Sequence, residues 1–340
     1  MSTLRALVTP IINIEPHPNA DRLELAQVMG WQCVVPQGRY SPGDEVIYIP
    51  VDAVLPVELS DALGVTKYLS RGRVRAAKLR GMVSYGLVMA NTEGFALGSD
   101  VTAHYGITKF EPPVQLSDGD ILPPHPRLLR YTSIENIKNY PGILTLGEEV
   151  VVTEKVHGTN GVHGLVLDDD SDQGELFMAA SHRHRRRQDP DSTYWRTFDD
   201  RTRALLRDAV QGHKSALLYK EVYGAKIQHL NYGLKNQVLD VAFDLSIDGV
   251  YVDHDRFKAL CEAHGVPMAP VLYRGPFDPV KLDQLVNQDQ VRTVVGEGAN
   301  IMEGIVIKPV RERWNPETGR TIFKWISDAY ALDTKATDFH

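Results

Sequence analysis

Residues 150–164 read "VVVTEKVHGTNGVHG": a run of β-branched residues ends in Lys155, and a glycine turn opens at Gly158. Lysine is an unusual way to end an apolar strand, and its plain explanation is a surface side chain beside a loop. The bare pattern Lys-x-(Asp/His)-Gly is weak by itself, since average residue usage produces it in roughly one chain in ten of this length. A lysine amine in a pocket can form covalent intermediates. It does so only as the free base, and an ordinary lysine, with a pKa of about 10.4, is mostly protonated at neutral pH. A metal ion or neighbouring cations would have to favour the amine.

What strengthens the pattern is its sequel. "LLYKEVYG" (217–224), "VAFDLSI" (241–247), "EGIVIKP" (303–309) and "IFKWIS" (322–327) follow in order. Each is an apolar, strand-like run that ends in, or is interrupted by, a charged or aromatic residue. A core strand needs no such residue. Its recurrence in every one of these runs points to strands converging on one polar pocket.

The elements that must position those residues are legible from periodicity. Strands are expected at 149–156, 162–168, 175–180, 215–223, 238–246, 303–309 and 320–326, and helices at 199–212, 254–264 and 278–288. Gly265 and Pro267 stop the second helix, and the Asp-Gly pair of "SIDGVYV" signals a hairpin. This is an α+β pattern with antiparallel sheets, not an alternating βαβ array. Before it, "RALVTPIINIEP", "LELAQVMGWQCVVP", "GDEVIYIPVDAVLP" and "RVRAAKLRGMVSYGLVMA" alternate apolar positions between turns, as a small β-barrel does. The expected organisation is a barrel over 1–105, a Pro/Gly/Asp-rich linker over 106–127, ordered against one domain or not, and a second domain over 128–340.

Composition sets broad limits. The chain has 340 residues, 43% of them hydrophobic and 24% charged, as in ordinary globular proteins. No apolar run approaches the ~20 residues of a membrane helix, and the first residues lack a signal-peptide pattern. Two distant cysteines, Cys33 and Cys261, fit a reducing cytoplasm without disulfides. The net charge of −7 argues weakly against a nucleic-acid partner. Two basic runs, "RGRVRAAKLR" (71–80) and "SHRHRRR" (181–187), argue locally for one. His182 and His184 share one side of a strand, but no third zinc ligand is near them in sequence.

In order, "EKVHGTN" and the four later runs resemble the motif series of the covalent nucleotidyltransferases, the superfamily of ATP-dependent ligases and mRNA capping enzymes. His157 in the third place of the lysine motif is closer to RNA ligases than to DNA ligases, which usually carry Asp there. "HPNADRLELAQV" and "LRGMVSYGLVMA" resemble the oligonucleotide-binding barrel appended to some tRNA synthetases. With that barrel, "RYTSIENIKNYPG" ahead of the lysine motif and no domain after the last motif, the chain is similar to the Deinococcus-type RNA ligase family.

The resemblance implies roles. Lys155 would attack the α-phosphate of ATP. Glu154 would lie near the adenine, with Val156, His157, Gly158 and Asn160 around the nucleotide. Arg183, or Arg185 in its place, would contact the nucleotide phosphate or the incoming 5′-phosphate. Glu221 would accept the ribose hydroxyls, unless it is a strand carboxylate paired with Lys220 or Lys226. Phe243 would stack on adenine, unless it is plain core. Glu303 would serve Mg²⁺ or Mn²⁺, and Lys308 and Lys324 would neutralise the triphosphate. Ile326 stands where phage RNA ligases often carry a second lysine, so Lys308, Lys335 or another basic residue would replace it if one is needed. Arg71, Arg73, Arg75, Lys78, Arg80 and Arg185 would grip a nucleic-acid backbone. The expected activity is RNA ligation by a monomer at nicks in duplexes, with RNA on the 3′-hydroxyl side. A DNA ligase, a capping guanylyltransferase and a non-catalytic tRNA-binding factor are the alternatives.

Overall fold

The computed structural model describes residues 4–111, 120–167, 174–182, 184–288 and 291–333. The chain forms two compact units. One takes residues 1–114, 134–143 and 325–340, the other 115–133 and 144–324.

The first unit is an OB-type barrel. Strands β1 (Leu7–Pro16), β2 (Leu23–Val28), β3 (Trp31–Pro36), β4 (Glu45–Ile49) and β5 (Leu87–Ala90) form an antiparallel sheet in the order β3-β2-β1-β4-β5. β1 pairs with β4 through residues 7–10 and with β2 through residues 11–16, with a bulge between Ile11 and Asn13. A bulged strand that changes partner partway along its length is how a sheet curls into a barrel. Ala6, Val8, Ile47, Ile49, Ala53 and Val74 form its dry centre. Cys33 and Cys261 are free and buried, and burial pushes each thiol up to about 12, so neither is poised to react.

The basic run of this unit does not form one charged face. Arg73 is buried and paired with Asp52 at 2.6 Å, its guanidinium 3.7 Å from the Phe110 ring centre. The expectation that Arg73 grips phosphate is therefore corrected: its planar fork is spent on an internal carboxylate. Arg75 is half-buried and donates to the Asp333 carbonyl at 3.2 Å. Arg71, Lys78 and Arg80 are exposed.

The second unit is built from two antiparallel sheets. Its strands are β6 (Glu149–Lys155), β7 (Thr159–Leu167), β8 (Glu175–Ser181), β9 (Arg185–Arg186), β10 (Ser215–Gly224), β11 (Val238–Ile247), β12 (Val250–Tyr251), β13 (Val271–Pro276), β14 (Gly304–Pro309) and β15 (Phe323–Ile326). One sheet runs β9-β8-β7-β10-β11-β12, and another places β15, β14, β6 and β13 side by side. Helices α1 (Asp200–Ala209) and α2 (His254–His264) pack Leu205, Leu206, Phe257 and Cys261 against Leu165, Leu218 and Leu245 of the first of these sheets. Asp199 caps α1 through the Thr202 amide, and Gly265, at φ 64°, ends α2 in the left-handed region. A third helix, α3 (Pro279–Asn287), is capped by Asp278.

The expected strands and helices are present, most within a residue or two of their anticipated ends. β7 begins three residues before its expected start and α1 ends three residues before its expected end, and within 320–326 Gly319–Arg320 pairs with Trp314–Asn315 as a separate hairpin, so that β15 begins only at Phe323. Asp248 and Gly249, both at positive φ, make the anticipated turn between β11 and β12. Both ends of the 106–127 segment are ordered: Thr108–Lys109 pairs with Ala53–Val54, and Leu122 donates to the Arg185 carbonyl. Among the described residues, no helix is long and apolar enough to cross a membrane.

Candidate active site

β6 and β7 are consecutive in sequence but belong to different sheets, so the three-residue connection Val156–His157–Gly158 carries the chain from one to the other. The last pair of β6 with β14 is Lys155 opposite Gly304. The first pairs of β7 with β10 are Thr159 opposite Val222 and Asn160 opposite Glu221. This register brings Lys155, Glu221 and Glu303 to one sheet junction although 148 residues separate the first from the last. Gly158 is what permits the crossing: a Cβ there would stand 2.2 Å from the Val222 carbonyl oxygen. The close approach that Gly158 makes is to β10.

The Lys155 Nζ donates to Glu303 Oε1 at 2.6 Å, and His157 Nδ1 lies 3.3 Å from Glu303 Oε2. Glu303 is completely buried, which alone would raise its pKa. The Lys155 charge and the contact with His157 outweigh burial and hold the carboxyl below its ordinary range. His157 is itself fixed, its Nε2 3.1 Å from His229 Nδ1 and its amide donating to the Tyr232 hydroxyl at 2.5 Å. Alternation turns Glu154 away from Glu303, and its Oε2 accepts from the amides of Val294 and Val295 at 2.8 and 3.0 Å. Burial raises the Glu154 pKa against those two hydrogen bonds.

Between the sheets lies a cleft of about 710 Å³, lined in part by Lys155, Glu154, Val156, Glu221, Phe243, Val306 and Lys308. Phe243 owes its position to a bulge. Tyr219 pairs with Asp244 and Lys220 with Ala242, which leaves Phe243 as the extra residue of β11. A bulge re-aims a side chain, and here the ring enters the cleft, edge-on to Tyr131 at 4.9 Å. Lys220 is no partner for Glu221, because it faces the other side and pairs with Asp240 at 2.9 Å.

Lys308 stands in a different setting from the one expected. Its ammonium donates to Asp244 at 3.0 Å and Glu312 at 3.3 Å. Arg320 completes this buried square, 2.6 Å from Asp244 and 2.5 Å from Glu312. Tyr131 adds a donor to Asp244 at 2.7 Å. Burial would raise the Asp244 pKa, but Lys308 and Arg320 hold it below the usual carboxylate range. Lys324 is buried on β15, a strand whose four residues are all buried, and does not line the cleft. Asn160 Oδ1 is buried without a hydrogen-bond partner. Arg183 and Lys335 lie outside the described residues, and Arg185 is half-buried on β9. Among the described residues no cluster of three metal-ligating side chains exists, around His182 and His184 or elsewhere.

Sequence reasoning missed Tyr131, Asp244, His254, Glu312 and Arg320. His254 lines the cleft at the start of α2, and burial, with Lys308 nearby, pushes its pKa down to about 4, so it is neutral at physiological pH. The only local signal was "FD" within "VAFDL", an acid in the middle of a strand.

This fold is similar to that of solved RNA ligase structures. Naegleria gruberi RNA ligase with pyrophosphate superposes with a TM-score of 0.77 at 23% identity over 97% of this chain and 98% of that one. A mutant of that ligase with ATP and Mn gives 0.79 at 22%, and another with AMP and Mn gives 0.78 at 22%, each covering 98% of this chain and 99% of its own. An OB-fold domain model matches residues 5–91, and the RNA ligase family model matches 148–326. No curated protein matches the chain. The chain belongs to the RNA ligase family and is an RNA ligase.

Proposed function

We propose that the protein joins RNA 3′-hydroxyl and 5′-phosphate ends with ATP as co-substrate, through AMP carried on Lys155, and that it acts at nicks in duplexes. The observation that carries this reading is the Lys155–Glu303 pair of 2.6 Å at the edge of a cleft that holds one bulge-mounted aromatic ring. In the first step the Lys155 nitrogen bonds to the α-phosphorus, and the bond to pyrophosphate breaks. AMP then passes to a 5′-phosphate, and the 3′-hydroxyl displaces it. The Glu303 contact occupies the Lys155 nitrogen, so it must loosen before the amine can attack.

The residues present fit such a ligand. Phe243 offers a stacking face for adenine, Glu221 an acceptor for ribose hydroxyls, and Asn160 an unsatisfied carbonyl oxygen. Glu303 is a hard oxygen donor that belongs to no three-ligand cluster among the described residues, as suits Mg²⁺ or Mn²⁺, which keep waters and phosphate ligands. The metal, when bound, would offset phosphate charge and favour the free amine. The resemblance gives Lys324 the charge of the transferring phosphates, a role it takes only if ligand binding brings it to the cleft that it does not line here, and we assign Lys308, with both neighbouring carboxylates on its ammonium, to the cleft wall. The reading includes RNA on the 3′-hydroxyl side of the nick and a monomeric, cytoplasmic enzyme, in keeping with two buried free thiols.

The test is incubation with ATP labelled at the α-phosphate and Mg²⁺ or Mn²⁺. The wild-type chain takes up label, Lys155→Ala takes up none, and GTP does not substitute. A labelled Lys155→Ala chain would refute the assignment. Sealing of nicked duplexes with single ribonucleotides placed around the break then reads out the strand preference.

A further inference from the structure

A second hollow, of about 380 Å³, lies on the same unit as the cleft, between residues 124–130 and strands β7 to β9. His125, Arg130, His182, His184 and Arg185 line it together with Leu129, and no carboxylate among the described residues does. In a chain with 44 acidic and 37 basic residues, a concave surface free of acids is a selective feature. Its walls are tied down. The Leu122 amide donates to the Arg185 carbonyl at 2.9 Å and the Arg187 amide to Asp120 at 2.8 Å, fastening the incoming segment alongside β9. Ser181 and His184 exchange bonds, amide to carbonyl at 3.0 Å and amide to hydroxyl at 3.3 Å.

We propose that this hollow is a subsite for a backbone phosphate of the RNA, next to the reacting end; the proposal rests on the RNA ligase reading above. Two guanidinium groups and three imidazoles provide the donors that a phosphate takes up, and the exposed Leu129 adds an apolar contact for sugar or base. Val162, in the floor, is two residues along β7 from Asn160, which stands opposite Glu221. At the rise of a strand that is about 7 Å, so a chain ending at the nucleotide site reaches the hollow with its adjoining residue. The phosphates of ATP are a poorer fit, because pyrophosphate must depart from the atom that Lys155 attacks, and neither Lys155 nor Glu303 lines the hollow.

The experiment uses the full chain with Arg130→Ala and, separately, His125→Ala. Affinity for a nicked duplex containing RNA is titrated across salt concentrations, and label uptake from ATP and thermal melting are measured in parallel. The expected result is at least a tenfold loss of RNA affinity for Arg130→Ala, partly recovered in Arg130→Lys. The log–log salt slope falls by about 0.7–0.9, the value of one phosphate contact, while melting and label uptake stay within twofold of wild type. Unchanged RNA affinity and slope would overturn the proposal. So would a rise in the ATP requirement matching the loss of RNA binding, which would make the hollow a nucleotide subsite. Binding reads out even from a chain that takes up no label, so failure of the ligase reading and failure of this one are separate results.

Discussion

Replacing Asp244 by Asn tests the claim that the cleft wall is held by a balanced charge cluster. Asp244 is completely buried and receives Lys308 at 3.0 Å, Arg320 at 2.6 Å and the Tyr131 hydroxyl at 2.7 Å. Asp244 and Glu312 stand against Lys308 and Arg320, two charges of each sign. The amide leaves two interior cations facing one carboxylate and turns an NH₂ toward a donor. Removing one partner of such a buried pair costs roughly 3–5 kcal/mol. For a unit of this size, that lowers the melting temperature by about 6–20 °C. Lys308→Met alone strands the opposite charge, whereas the double variant restores one cation to one anion. Its loss should fall short of the sum of the singles by about 1–3 kcal/mol. Because Phe243 is the neighbouring bulge residue, label uptake from ATP should weaken in Asp244→Asn more than in the double variant. The assay is thermal and denaturant melting of all four proteins. A shift below about 2 °C for Asp244→Asn, or strict additivity, would refute the reasoning.

Phe243→Ala should raise the ATP concentration needed for label uptake by about 5- to 150-fold, the equivalent of the ~1–3 kcal/mol of base stacking, while Phe243→Tyr stays near wild type; equal losses would return Phe243 to plain core. Arg73→Ala should destabilise the barrel, by melting, more than it changes the salt slope of RNA binding, because it takes the guanidinium away from the buried Asp52 carboxylate. His254 has a folded pKa of about 4 against an ordinary 6.5. Between those values the unfolded chain binds a proton that the folded chain refuses, so stability is full above about pH 6.5 and falls as pH drops toward 4. His254→Phe should flatten melting temperature against pH in that window, and an unaltered profile would exclude the histidine as its source.

The parts of this molecule that were legible in its sequence are those governed by neighbours along the chain. Alternation revealed the strands, Gly265 and Pro267 marked a helix end, and Asp248-Gly249 marked a hairpin, because each signal acts within a few residues. The lysine motif was readable for the same reason, and so was the series of apolar runs broken by charge. The settings of Arg73 and Lys308 were not, and for Phe243 the sequence left cleft and core both open. Arg73 looked like part of a basic surface, yet its carboxylate partner lies 21 residues back and takes it inside. Lys308 looked like a phosphate ligand, yet Asp244, 64 residues away, holds its ammonium. Phe243 enters the cleft only because β10 and β11 slip by one residue beside Lys220, and a period-two pattern cannot say which residue a bulge leaves out. Which ends of a strand carry charge is written in the chain; which charges meet depends on sheet register, set by packing among segments from 21 to 148 residues apart.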